Sequence, residues 1–216
     1  MTVVDQMLQS PRLPKYVEEL SHLLENERAR RGQFYDWLPD DKKAEFINGE
    51  VFVHSPVSFR HSKASDNLVT LLRTYVRKHD LGHVAHEKLL VCLTRNDYEP
   101  DIAYWRREIA GTFRDDQMKF PAPDLVVEVL SPSTERHDRQ IKFEDYAAHG
   151  TDEYWIVDPE QRTIEQYLLA AGQYQLAVKV IDGHIRSRAI AGLQIPAQAA
   201  FDPDANLQAL AAIMSG

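Results

Sequence analysis

Two segments open with Pro-Asp and continue as β-rich runs: Pro100-Asp101-Ile102-Ala103-Tyr104-Trp105 and Pro123-Asp124-Leu125-Val126-Val127-Glu128-Val129-Leu130. Each places a carboxylate at the start of a strand. Side chains alternate along a strand, so Asp124, Val126 and Glu128 share one face while Leu125, Val127 and Val129 share the other. Glu128 is the anomaly, because a carboxylate inside an apolar strand costs several kcal/mol when dry and unpaired. It therefore needs a cation or a hydrogen bond. Asp101, 27 residues earlier (128 − 101), can lie on the neighbouring strand, and two carboxylates at the mouth of a sheet suit Mg²⁺. Lys142 follows Glu128 by 14 residues (142 − 128) and shares a helical face with Asp138, Tyr146 and His149, so its ammonium can reach back toward the strand.

Taken alone, these residues also have plainer readings. Lys142 and Asp138 make an i, i+4 pair of the kind found on solvated helix faces, worth about 0.3 kcal/mol. Residue types alone favour that reading for Lys142. Asp101 and Asp124 follow prolines and can serve as turn or cap residues, and Glu128 can pair with an arginine across a sheet. His79, His83 and His86 have zinc-like spacing, but Gly82 interrupts any helix between the first two, so surface histidines are the simpler reading. Cys92, the single cysteine, sits in the strand-like run KLLVCLT as a small hydrophobe.

These groups need elements to position them. Residues 14–31 carry Val17, Leu20, Leu23 and Leu24 at helical spacing, with Gly32 as the expected stop. AEFINGEVFVH alternates around Asn48-Gly49, a hairpin dipeptide. Residues 58–79 predict the longest helix, with a core stripe of Leu68, Leu71, Leu72, Tyr75 and Val76, ended by Gly82. Strands follow at HVAHEKLLVCLT, PDIAYW and PDLVVEVLS. Ser133 or Thr134 then caps a helix running to about His149, with Gly150 as its stop, and EYWIVD resumes extended structure. Hairpin turns are expected at Asp158-Pro159-Glu160-Gln161 and at Asp182-Gly183. Helices and strands in this order predict a single α/β (α+β) domain with a mixed sheet flanked by helices.

The chain has 216 residues, 44% hydrophobic and 27% charged, which suits one globular core and not disorder. It has no run of eighteen apolar residues and no basic start followed by an apolar core, so a cytoplasmic location without membrane association is expected. Twenty-five Lys and Arg against 33 Asp and Glu give a net charge of −8, which argues against broad sliding on nucleic acid and leaves room for a local basic path. The closest glycines, Gly183 and Gly192, are nine residues apart (192 − 183), which rules out the dinucleotide, P-loop and nucleophile-elbow motifs.

EFINGEVFVHSP, EPDIAYW, PDLVVEVLSPST, Lys142 with Phe143 and Tyr146, His149-Gly150 and EYWIVDP together resemble the Uma family of endonucleases, within the PD-(D/E)XK nuclease superfamily. The resemblance spans roughly residues 35–200, with residues 1–34 left as a helical extension before a restriction-endonuclease-like domain at 35–216. It implies a Mg²⁺-dependent nuclease acting on DNA, with Mn²⁺ as an alternative ion. Asp101 matches the strand aspartate and Glu128 the acid of the (D/E)XK strand, while Leu130 stands where the superfamily has its lysine. A relocated lysine would put that role on Lys142. The implied metal ligands are Asp101, Glu128 and the main-chain carbonyl of Val129, with Glu50, His61 and Asp124 as secondary candidates. Arg60, Lys63, Arg136 and Arg139 would form the local phosphate path, and cutting both strands would suit a homodimer. A catalytically inactive module of the same fold, binding nucleic acid or a protein partner, is the second function class. Metal-free glycoside hydrolysis by a carboxylate pair is the third, and it gives Lys142 no role.

Overall fold

A computed structural model describes residues 2–38 and 42–215, and the chain divides into two units, Met1–His54 and Ser55–Gly216. In the first unit, α1 (Val3–Leu8) begins with a capping box: the Thr2 hydroxyl accepts from the Asp5 N–H, and the Asp5 carboxylate accepts from the Thr2 N–H. α2 (Leu13–Trp37) runs past Gly32, its expected stop. A helical glycine costs only about 1 kcal/mol, and the extra turn is held by buried Phe34, whose ring lies 5.7 Å from that of Phe46. Val17, Leu20, Leu23 and Leu24 are 40–52% exposed. β1 (Ala44–Ile47) and β2 (Glu50–Val53) form the expected antiparallel hairpin. Asn48 and Gly49, at φ 50° and 83°, supply the two left-handed residues that such a two-residue turn needs. This hairpin falls within the first unit.

The second unit begins with α3 (Phe59–Lys78), capped by the Ser58 hydroxyl. It continues through β3 (Gly82–His86), β4 (Leu90–Cys92), β5 (Asp97–Tyr98), β6 (Ile102–Arg106), α4 (Arg107–Ala110), β7 (Lys119–Phe120) and β8 (Leu125–Val129). Next come α5 (Glu135–Arg139), α6 (Ile141–Ala148), β9 (Glu153–Asp158), β10 (Thr163–Ala170), β11 (Gln173–Val180), β12 (His184–Arg186) and β13 (Gln194–Pro196). A 3₁₀ turn at Ala197–Ala200 and α7 (Pro203–Ser215) close it.

Six strands form the central sheet in the order β11-β10-β9-β8-β6-β3. β8 and β9 are parallel and the other neighbours antiparallel, which makes the expected mixed sheet. Alternation along β8 divides its side chains as the sequence pattern requires. Leu125, Val127 and Val129 join Leu68, Leu72, Val76, Trp155 and Ile164 in the main core beneath α3 and α7. The other face carries Val126 and Glu128 and meets α6, where the Phe143 and Tyr146 rings lie 5.5 and 5.9 Å from that of Tyr154.

Three expectations need correction. The helix from 134 to 149 is broken at Gln140 (φ −120°, ψ −88°) into α5 and α6, although Gly150, at φ 79°, does end it. Asp182-Gly183 does not join two paired strands, because β12 pairs with β13. The hairpin instead joins β10 to β11 through Ala171 and Gly172, both left-handed at φ 49° and 79°. An alanine at the first turn position hid it. Gly82 does not end α3, which is already capped at His79. It opens β3 at φ 141°, where a Cβ would lie 2.1 Å from the main-chain oxygen of Trp105. Gly82→Ala is therefore expected to destabilise the chain by about 2 kcal/mol or more, read as a shift in denaturant midpoint with unchanged slope. A wild-type midpoint would contradict that close approach.

Candidate active site

β6 and β8 pair with Ile102 opposite Val127, so one further step along the register sets Asp101 against Glu128. Here each carboxylate reaches the partner segment's main chain. The Val129 N–H donates to Asp101 Oδ2 at 2.8 Å, and the Asp101 N–H points to Glu128 Oε2 at a longer 3.4 Å. The N–H and C=O of one strand residue point to the same side, so the Val129 carbonyl also faces the β6 side of β8. His61, in the first turn of α3, places Nε2 3.5 Å from Asp101 Oδ2.

α6 delivers Lys142 from above the sheet. Its Nζ lies 3.3 Å from Glu128 Oε1 and 3.0 Å from Asp138 Oδ1, and 5.9 Å from the centre of the Tyr98 ring. Asp101, Glu128, Lys142, Asp138 and His61 are all buried, with 1–4% of their surface exposed. The solvated pair that the sequence favours for Asp138 and Lys142 is thus a buried one, since this face of α5 and α6 packs on the sheet. The Tyr154 hydroxyl donates to the Asp138 main-chain oxygen at 2.9 Å. Burial first, then the nearby Glu128 and Asp138 carboxylates, push the Tyr154 phenol well above its ordinary pKa, so it remains a donor.

Asp124 stands apart from this cluster. Asp124 is four residues back along β8, roughly 13 Å from Glu128 at strand rise. Its carboxylate takes the Arg106 N–H at 2.7 Å and the Arg106 guanidinium at 2.8 Å, which makes it a cross-strand tie. Glu50 is an exposed residue of β2 in the first unit. The three histidines make separate contacts: the His79 ring lies tilted 4.4 Å from that of Tyr75, His86 bonds the Ser65 hydroxyl, and burial, then Arg73 and Arg77, lower the pKa of His83.

Of the expected phosphate path, Arg60 pairs with Glu160 at 3.4 Å and Arg136 bonds Gln140. Arg139 is committed to Glu165, at 2.8 Å, and to Glu135. Burial would raise the Glu165 carboxyl, but hydrogen bonds from Arg139, Tyr167 and Lys179 outweigh it and hold the pKa at about 2, against an ordinary 4.5. A depressed folded value stabilises the fold above about pH 4.5, and the contribution is lost as pH falls toward 2. Glu165→Gln should accordingly cost about 2 kcal/mol at pH 7 and close to nothing at pH 2, measured by denaturant unfolding at both. An equal cost at the two pH values would exclude this linkage.

Two carboxylates and a strand-edge carbonyl are hard oxygen donors, suited to an ion that fills its remaining positions with water and substrate oxygens. Among the described residues, no group of three or more His, Cys, Asp or Glu forms a metal cage. The donor chemistry of Asp101, Glu128 and Val129 nevertheless fits Mg²⁺ with few protein ligands.

The family model of Uma2, described as "Putative restriction endonuclease", matches residues 31–198. The chain belongs to the Uma2 family. Relatives include the Synechocystis proteins "Uncharacterized protein sll1609", 29% identical over 58% of this chain and 72% of that protein, and "Uncharacterized protein slr1290", 31% identical over 58% and 66%. A crystal structure from Anabaena variabilis, titled as a putative nuclease belonging to DUF820, superposes with a TM-score of 0.62 at 18% identity, covering 73% of this chain and 89% of that one. At that identity the likeness concerns the fold, a mixed α/β sheet flanked by helices. No helix among the described residues is long and apolar enough to cross a membrane.

Proposed function

We propose that this Uma2 member is a Mg²⁺- or Mn²⁺-dependent endonuclease hydrolysing DNA phosphodiester bonds. One observation carries the reading: Asp101, Glu128 and Lys142, distant in sequence, meet in a single buried cluster at the antiparallel edge of β8. Asp101 and Glu128 would hold the ion, with the Val129 carbonyl as a third donor. When bound, the ion would polarise a phosphodiester and lower the pKa of an adjacent water. Lys142 keeps its ammonium beside Glu128, where it balances negative charge building on the phosphoryl oxygens. His61, with Nε2 3.5 Å from Asp101, stands beside that carboxylate and can donate to a phosphate oxygen. Leu130, at 7% exposure, occupies the usual lysine position as a core residue and leaves the cationic role to the helix.

The reading is tested by incubating the purified chain with supercoiled plasmid in Mg²⁺, in Mn²⁺ and in EDTA. Nicking only with metal is the expected result, and equal nicking in EDTA would overturn it. Tight plasmid binding without nicking in either metal would instead select the inactive module that the buried Leu130 keeps in view.

A further inference from the structure

We propose that Asp138 is a positioning residue that aims the Lys142 ammonium at Glu128, replacing the guidance a strand lysine receives from its sheet. The inference rests on the nuclease reading above and deepens it. A lysine two residues after the strand acid would share its face and be held by the ladder, but here that place is taken by Leu130. Lys142 instead hangs from a helix on a flexible four-carbon stem, which by itself holds an ammonium poorly in one place.

Asp138 supplies the missing constraint. Its Oδ1 lies 3.0 Å from Lys142 Nζ, closer than the 3.3 Å contact of that ammonium to Glu128. Asp138 is itself anchored to the sheet without any help from Lys142. The Tyr154 hydroxyl donates to its main-chain oxygen at 2.9 Å, and Tyr154 sits on β9 opposite Val126, two residues before Glu128 on the same face. The pair also spans the break at Gln140, so α5 and α6 need not form one continuous helix for the two side chains to meet. The aim of the lysine is thus referred to β8 and β9, the strands that carry the acid.

The test uses the full chain and two readouts, one of them independent of catalysis. Asp138→Asn keeps the shape and removes the charge. In metal-dependent plasmid nicking its kcat should fall about 10²-fold with KM unchanged, the scale expected when a reacting group is displaced by an ångström, and Asp138→Glu should recover part of the loss. In ¹H–¹⁵N spectra, the ammonium resonance of Lys142, identified by its absence in Lys142→Arg, should be sharp in the wild type, lost or shifted in Asp138→Asn, and present in Asp138→Glu. Wild-type kcat in Asp138→Asn, or a reduced kcat with an unchanged ammonium resonance, overturns the proposal. Should the wild type nick nothing with metal, the nuclease reading fails, and the resonance alone decides the aiming of Lys142. If Asp138→Asn does not fold, Asp138→Glu decides: an ammonium signal lost in that variant, despite the retained charge, overturns the proposal.

Discussion

Glu128→Gln will lose about 10³-fold or more of the metal-dependent nicking rate while the chain remains folded. The acid is one of two anionic oxygen donors at the cluster, and an amide there supplies a weak neutral ligand instead. A bound ion contributes several kcal/mol to charge stabilisation, and each 1.36 kcal/mol is tenfold in rate, so a loss of about 4 kcal/mol corresponds to about 10³. Folding should survive, because Lys142 keeps its 3.0 Å contact with Asp138 and glutamine fills the same volume. The measurements are initial nicking rates in Mg²⁺, Mn²⁺ affinity by calorimetry and a thermal melt. Rate and affinity should fall together with a melt changed by only a few degrees. A variant that nicks like wild type removes Glu128 from the chemistry.

Glu153→Gln should produce the largest stability loss, in a region that does no chemistry. The Glu153 carboxylate is fully buried and accepts five hydrogen bonds. Oε1 takes the Trp155 indole N–H at 2.6 Å and the Gln166 amide at 2.5 Å. Oε2 takes the Ser187 hydroxyl at 2.7 Å and the main-chain N–H groups of Arg188 and Ala189, each at 2.8 Å. Glutamine would turn one oxygen into a donor facing other donors, leaving buried N–H groups unmatched. With hydrogen bonds to a charged group worth about 1.5–3 kcal/mol and several disturbed at once, about 3 kcal/mol is expected. For a chain of this size that lowers the melting midpoint by about 6–12 °C. A fall of less than about 2 °C would mean that the segment 187–189 is held by other contacts.

The fold was most legible where local chemistry decides the outcome. Asn48-Gly49 turns a hairpin because its two residues tolerate left-handed backbone, and the stripe of α3 is buried because its spacing leaves no other face apolar. Glu128 could be flagged from one strand alone, since period two assigns its face. Residues whose meaning depends on distant partners were harder to read. Asp138 and Lys142 look like a solvated pair because nothing within α5 or α6 announces the sheet beneath them. Glu153 carries no local signal either, as three of its donors come from 34 to 36 residues downstream. The run of α2 past Gly32 depends on Phe34 finding Phe46, a contact that propensity does not contain. Asp124 matched a pattern shared with Asp101, but its position at the opposite end of the strand gave it to Arg106.

The parallel pairing of β8 with β9 obliges the chain to leave the sheet and return, and α5 and α6 are that excursion. An inserted or deleted residue therefore has unequal consequences along it. In the stretch 131–134, before α5, a change of length can be taken up by loop adjustment, leaving Asp138 and Lys142 in step with each other. Between Asp138 and Lys142, which lie on α5 and α6 on either side of the Gln140 break, one added residue changes the separation that brings the lysine amine 3.0 Å from the aspartate carboxylate. Natural length variation should thus be tolerated ahead of the aspartate and selected against in the four-residue window behind it.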